Sequence, residues 1–306
     1  MPWTFITIEW SALALGAVMI WHAHTQGARW LSTCLWGMAF GTAAELMIVS
    51  RPGASYEYGQ FLFMLGKAGH QVPLWVGVGW GSIVYAATWT AQRMRQPWAL
   101  RPLSAGVLAI NLDLSLDPLA ECFGFWKWKN APPLNYYGVP FDNFLGWFAI
   151  VASFALFTRW LFRKVPPGVR WSSLWVPPLG GVIALGVLAL VQGGIGFLYD
   201  HLPGGQTTVF MVVLGVAALS AWSYLVHSQR NHAANWPIVG VPLFMHSLFI
   251  FLLVSTRSYE APALTSLIVV LPLNWLVGFF GYAWASLDTL FPELQAAAKS
   301  NQINRT

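Results

Sequence analysis

Apolar residues run through this chain in long blocks, broken by short polar and turn-forming stretches. A helix needs about 20 mostly apolar residues to cross the hydrocarbon of a bilayer. By that measure the candidate spans are Phe5–His22, Trp30–Val49, Val72–Ala91, Leu103–Leu119, Phe144–Phe162, Leu174–Leu198, Thr207–Val226, Ile238–Leu253 and Leu264–Trp284. A tenth apolar stretch, Tyr56–Leu65, is too short to span and reads as an interfacial or re-entrant piece. Arg51-Pro52-Gly53, Gln96-Pro97, Pro132-Pro133, Pro166-Pro167-Gly168, Pro203-Gly204-Gly205 and Asn235-Trp236-Pro237 separate the blocks. The pattern predicts an all-α, polytopic transmembrane helix bundle of about seven to nine spans. Residues 1–306 form one integral membrane domain with a polar tail at 286–306 and no internal repeat. The N-terminus has neither a basic region nor a small-residue cleavage site, so Trp3–Trp21 is read as a retained first span.

Composition sharpens this. Only 9% of residues are charged and 57% are hydrophobic, with a mean hydropathy of +0.56; a soluble domain carries about 25% charged residues. The net charge of +5 therefore bears on topology and anionic lipid headgroups. No basic run with interleaved aromatics appears, which excludes a nucleic-acid partner. With nine spans, Arg29, Arg93, Arg95, Arg101, Arg159, Arg163, Lys164, Arg170 and Arg230 fall in or beside odd-numbered loops, and Lys299 and Arg305 in the tail. Arg51, Lys67, Lys127, Lys129 and Arg257 fall in even-numbered loops. Eleven against five places the odd loops in the cytoplasm and the N-terminus outside. Most of the 19 Trp residues recur near span ends, as an aromatic belt does. Cys34 and Cys122 form no disulfide framework.

Against this apolar background the acids stand out. A carboxyl at membrane depth costs roughly 2.5–3.5 kcal/mol on insertion scales. Glu45, followed by Leu46–Val49, lies about a turn inside the second span; its bland alternative is a helix-end carboxyl reaching the interface. Asp113 and Asp117 are four apart, which on a helix stacks them on one face. Two carboxyls that close cannot both ionise easily in low dielectric, and a retained proton is what an acid catalyst needs. Pro118 biases Asp117 away from helical dihedrals, so the helix is expected to end there and Asp117 has a loop alternative. Between the fourth and fifth spans, Trp126, Trp128, Tyr136 and Tyr137 crowd beside these acids, and Glu57 and Tyr58 sit after the second span. Aromatics at such places are often interfacial anchors. Beside carboxyls they also suit a cation, which a ring face stabilises by about 2 kcal/mol when desolvated. Asn143 and Asp142 at the start of the fifth span suit substrate binding or a helix cap.

Other chemistries lack their residues. His22 and His24 point to different helix faces, His227 and His232 are five apart, and His246 is alone in a span, so neither a di-iron nor a haem pattern appears. No mid-span Lys, phosphate loop or Asp-rich repeat is present. The expectation is no metal and no cofactor.

The stretches LDLSLDPLAECFGFWKWKN and NYYGVPFDNFLGWF closely resemble the membrane carotenoid biosynthesis proteins that include the carotenoid 1,2-hydratases and bisanhydrobacterioruberin hydratases. The shared pattern falls on Asp113, Leu114, Leu116, Asp117, Pro118, Trp126, Trp128, Tyr136, Tyr137, Gly138, Val139, Pro140, Asn143, Gly146 and Trp147. Upstream, Glu45, Tyr58, Val72-Pro73-Leu74 and Trp80 fit it as well, so the resemblance spans Gly41–Phe148. The chain departs from it at Arg51–Gly59, where the family usually reads T-G-x-x-F-G-x-Y, and the half beyond Phe162 offers no motif of the family to quote. The resemblance implies hydration of a terminal isopropylidene double bond of a linear carotene to a tertiary alcohol. It implies Glu45, Asp113 and Asp117 as catalytic groups and Tyr58, Trp80, Trp126, Trp128, Tyr136, Tyr137, Asn143 and Trp147 as substrate contacts. The partners are then a hydrophobic isoprenoid and the lipid bilayer of the cell membrane. Two alternatives use the same residues: a protonation-initiated membrane terpene cyclase, and a non-enzymatic carotenoid or lipid carrier that needs the apolar pocket but not the acids.

Overall fold

The computed structural model describes residues 1–283 except 52, 95, 130–132, 167, 168, 170, 206, 213 and 216–234. Its helices are α1 (Trp3–Thr25), α2 (Ala28–Val49), α3 (Leu74–Arg93), α4 (Arg101–Phe123), α5 (Phe141–Lys164), α6 (Ser172–His201), α7 (Trp236–Ser255) and α8 (Leu267–Ala283). The chain is an all-α bundle, and α1, α2, α4, α5, α6 and α7 are long and apolar enough to cross a membrane. At 23 residues, α1 and α4 are each about 35 Å long, against a hydrocarbon core of about 30 Å. Helix α3 is 20 residues long but carries Gly, Ser and Thr at many positions, and Trp80–Ala91 is buried without a break. A helix buried all round belongs to the middle of a bundle and faces little lipid. Helix α8 is shorter, at 17 residues. The expected span Thr207–Val226 falls largely outside the described residues, as do the tail at 286–306, Arg95, Arg170, Arg230, His227 and His232.

Helices α2 and α3 pack closely because glycines line their seam: Gly37 and Gly41 on one, Gly77 and Gly81 on the other. A Cβ on Gly81 would fall 2.1 Å from Met38 Cγ, and one on Gly41 would fall 2.2 Å from the Trp80 Cβ. Small residues let membrane helices approach where no water drives them together. Helix α5 packs on α4 and α6, and α7 and α8 pair and close against α4.

Two expectations change at α4. The helix runs through Pro118 to Phe123 and stops at Gly124, which takes the left-handed conformation (φ 73°) suited to a helix C-terminus. The proline removes one intrahelical donor, and the Tyr136 hydroxyl supplies a replacement (3.2 Å to the Leu114 carbonyl). Asp117 is therefore a helical residue one turn after Asp113. Tyr56–Leu65, expected as an interfacial or re-entrant piece, holds strand: β1 (Tyr56–Tyr58) and the start of β2 (Met64–Lys67), which pairs with β3 (His70–Pro73). Two further ribbon pieces, β4 (Trp126–Trp128) and the β5–β6 hairpin (Asn135–Tyr136 with Val139–Pro140), complete a small strand layer over one end of the bundle. The short connections α1–α2, α3–α4 and α5–α6 lie at the other end.

Candidate active site

The strand layer is built by a long-range pairing. β1 and β4 run antiparallel, with Tyr56 opposite Trp128 and Tyr58 opposite Trp126. Side chains alternate along a strand, so Glu57 and Lys127 face out, where Glu57 pairs with Lys129 (3.1 Å) and Lys127 with Glu121 (3.3 Å). The two tyrosines and two tryptophans face the bundle. Ring centroids lie 4.8 Å apart for Tyr56–Trp128 and 5.7 Å apart for Tyr58–Trp126, both edge to face.

Beneath this aromatic floor sits Glu45, one turn beyond Gly41 on α2. The glycine leaves room for Trp80, whose indole N–H donates to Glu45 Oε1 (2.8 Å). The other carboxyl oxygen accepts the hydroxyls of Tyr58 (2.8 Å) and Tyr56. Burial first, then the adjacent Glu45 carboxyl, pushes both phenols well above their usual range, so they remain donors. Among the described residues three donors and no acceptor bond Glu45, the setting of a carboxylate that holds charge or receives a proton.

The aspartates meet a different environment. Both are buried on α4, at 0% and 2% exposure. The Asn143 amide nitrogen donates to Asp113 Oδ2 (3.0 Å) and to Asp117 Oδ2. One nitrogen thus tethers two carboxyls, which also interact directly with each other. Asp113 Oδ1 is buried with no partner among the described residues. Two carboxyls with so few donors suit a shared proton. Asn143 does not cap α5: its N-cap is Pro140, and Asp142 instead accepts the Tyr199 hydroxyl (3.4 Å).

These groups border a narrow cleft. Glu45, Asp117 and Asn143 supply its polar edge; Tyr56, Tyr58, Trp75, Trp80, Trp126, Trp128 and Trp147 supply ring faces. Trp147 stacks obliquely on Trp80, with centroids 4.2 Å apart, and Trp75 stacks on Trp126 at 6.2 Å. Ile8, Ala12 and Leu15 of α1 and Phe244, Met245 and Leu248 of α7 complete an apolar wall. Asp113 does not reach this cleft and sits behind Asp117. A second, more polar cleft shares Glu45, Tyr56, Trp80, Trp128, Asn143 and Trp147 with the first and adds Arg51, Ser55, Asp142 and Gln192.

Of the sequence candidates, Glu45, Asp117, Tyr58, Trp80, Trp126, Trp128, Asn143 and Trp147 converge on the cleft, with Asp113 one hydrogen bond away. Tyr136 and Tyr137 do not. Tyr136 serves the Leu114 carbonyl, while Tyr137 forms the β5–β6 turn at φ 52° and bonds Ser266 (2.6 Å). Three contributors were missed. Tyr56 shares a strand face with Tyr58, a relation that the Tyr-Glu-Tyr alternation signals. Trp75 lies one turn before Gly79, which borders the same cleft. Glu9, an acid in the first span, accepts the backbone N–H groups of Leu62 and Phe63 (3.0 Å each) and so fixes the connection from β1 to β2. Lone His246 bonds Ser115 Oγ (2.9 Å) and Asn111 Oδ1 (3.0 Å) and ties α7 to α4. Among the described residues no three His, Cys, Asp or Glu side chains are grouped so that they could hold a metal ion.

A family model described as carotenoid biosynthesis protein matches residues 3–214. That range extends past Gly41–Phe148 on both sides, taking in α1 and α6. No curated protein and no solved structure is significantly similar to the chain.

Proposed function

The chain belongs to the carotenoid biosynthesis protein family, and on that premise we propose that it hydrates a terminal C=C bond of a linear carotenoid or related isoprenoid, working as a multi-pass protein of the cell membrane. The observation that carries this reading is an apolar, ring-lined cleft ending on buried carboxyls held in two different ways. The Asp113–Asp117 pair, tethered by Asn143, holds a proton that Asp117 presents to the cleft. Glu45, among three donors, waits as acceptor.

The chemistry balances without a redox partner. Asp117 gives its proton to the less substituted carbon of the isopropylidene bond, and the π electrons form the new C–H bond. The tertiary cation left behind faces the rings of Trp126, Trp128, Trp80, Trp147 and Tyr58. A water oxygen adds to that carbon, Glu45 takes the proton released, and its return to the aspartates closes the cycle. The product carries one added water and a tertiary hydroxyl.

The polar second cleft favours hydration over cyclisation, because it brings Arg51, Ser55, Asp142 and Gln192 to the same wall that Glu45 and Asn143 form. A cyclase needs water kept from its cation. Membranes containing the protein, given a linear carotene in ¹⁸O-labelled water, should yield a product heavier by one labelled water. An isomer of unchanged mass would establish the cyclase instead. Carotene bound but unconverted, in wild type and acid variants alike, would leave a carrier.

A further inference from the structure

At the far end of the bundle from the acids, a cleft of about 300 Å³ opens between α2, α3, α4 and α5. Four arginines line it: Arg29, Arg101, Arg159 and Arg163, with Thr88. The ion pairs among the described residues involve Lys127, Lys129 and Arg257, so none of these four guanidinium groups has a carboxylate. Three are fixed by other means. Arg101 donates from Nε to the Gln96 carbonyl (3.1 Å) and from Nη1 to the Gln92 carbonyl (2.7 Å). The Arg29 guanidinium lies 4.4 Å over Phe162, and that of Arg163 5.2 Å over Trp98. Three donors are left over among the described residues: Arg159 Nε and the hydroxyls of Thr88 and Thr158, residues 2% and 4% exposed, are buried without a partner. A helical Thr commonly returns its hydroxyl to a carbonyl one turn back, as Thr33 does to Arg29 (2.8 Å). Thr88 makes no such bond.

Fixed positive charges that repel one another, beside buried donors with no acceptor, form a costly arrangement unless an anion with several oxygens completes it. We infer that this cleft binds a phosphate group at the membrane surface, with Arg159 and Thr88 donating to its oxygens and Arg29, Arg101 and Arg163 balancing its charge. Planar guanidinium groups suit phosphate in this role. The phosphate of an anionic phospholipid headgroup and free inorganic phosphate present the same chemistry. Trp98, in the α3–α4 connection, and Phe162, in the last turn of α5, are the ring partners of Arg163 and Arg29; aromatic residues at helix ends commonly accompany lipid headgroups, which favours the lipid.

The test uses the full-length chain in nanodiscs of phosphatidylcholine with and without phosphatidylglycerol, read by thermal unfolding and by lipid retained through native mass spectrometry. Phosphatidylglycerol should raise the unfolding temperature and stay bound. Arg159→Gln should weaken retention about tenfold or more, as loss of a charged hydrogen bond does. Thr88→Val, which keeps shape and removes only the hydroxyl, should weaken it less, and Arg257→Gln should leave it unchanged. Stabilisation by inorganic phosphate in phosphatidylcholine discs, lost in the same variants, would keep the site and assign its ligand to solution. Equal unfolding temperatures in both disc types together with no phosphate effect would overturn the inference, as would retention in Arg159→Gln and Thr88→Val equal to wild type. Carotenoid conversion takes no part in these readouts, so the site stands or falls apart from the proposed activity.

Discussion

The Tyr136 hydroxyl donates to the Leu114 carbonyl, the oxygen that Pro118, four residues on, leaves without its intrahelical partner. The proline would otherwise break α4 next to its two catalytic candidates. A phenol from a neighbouring hairpin keeps the helix going, and with it the one-turn spacing of Asp113 and Asp117.

Removing that phenol tests the arrangement. Tyr136→Phe leaves a half-buried carbonyl unpaired, which costs about 1 kcal/mol. The expected outcome is a lower unfolding temperature with turnover per folded molecule close to wild type. Stability unchanged with turnover lost would instead make Tyr136 a substrate contact.

Asn143→Leu keeps volume but removes the amide that tethers the aspartates. Turnover should fall by about 10²–10⁴, the usual contribution of a positioned acid, with membrane insertion retained. Near-normal activity would show that Asp113 and Asp117 need no common donor.

The acids themselves should be indispensable. Glu45→Gln and Asp113→Asn keep shape and remove the titrating group, and each should abolish hydration in well-inserted protein. Wild-type turnover in either variant would take that residue out of the mechanism.

Ring faces and hydroxyls separate by substitution. A ring contact with a desolvated cation is worth about 2 kcal/mol, roughly 30-fold in rate at the transition state. Trp126→Phe should therefore be mild and Trp126→Leu severe, with the same order for Tyr58→Phe and Tyr58→Leu. Tyr137→Leu, outside the cleft, should leave turnover flat. A uniform loss of membrane yield with unchanged specific activity would make these rings anchors only.

Water addition moves no electrons, so anaerobic membranes treated with a chelator should keep converting substrate. Activity that disappears and returns with added iron or a nicotinamide would place the reaction in another class.

Much of the bundle was legible because a span is a local property, and six of the blocks read from the sequence coincide with long apolar helices. Glu45 and Asp113 stood out for the same reason, as charges set in hydrocarbon-like runs. The strand layer was not legible. Tyr56–Tyr58 and Trp126–Trp128 are three-residue strands whose partners lie some 70 positions apart, beyond the reach of hairpin signals. Missing that pairing hid Tyr56 and made Tyr136 and Tyr137 look like pocket residues through their nearness in sequence to the acids. Pro118 misled because the group that compensates for it comes from β5, not from its own helix.

The partners of the buried acids follow them closely along the chain. Glu45 finds Tyr56, Tyr58 and Trp80 within 35 residues, and Asp113 and Asp117 find Asn143 within 30. Each carboxyl thus shares one helical hairpin with its donors, α2 with α3 for Glu45 and α4 with α5 for the aspartates. The β1–β4 seam then joins the two hairpins over the cleft, setting Trp128 against Tyr56 and Trp126 against Tyr58.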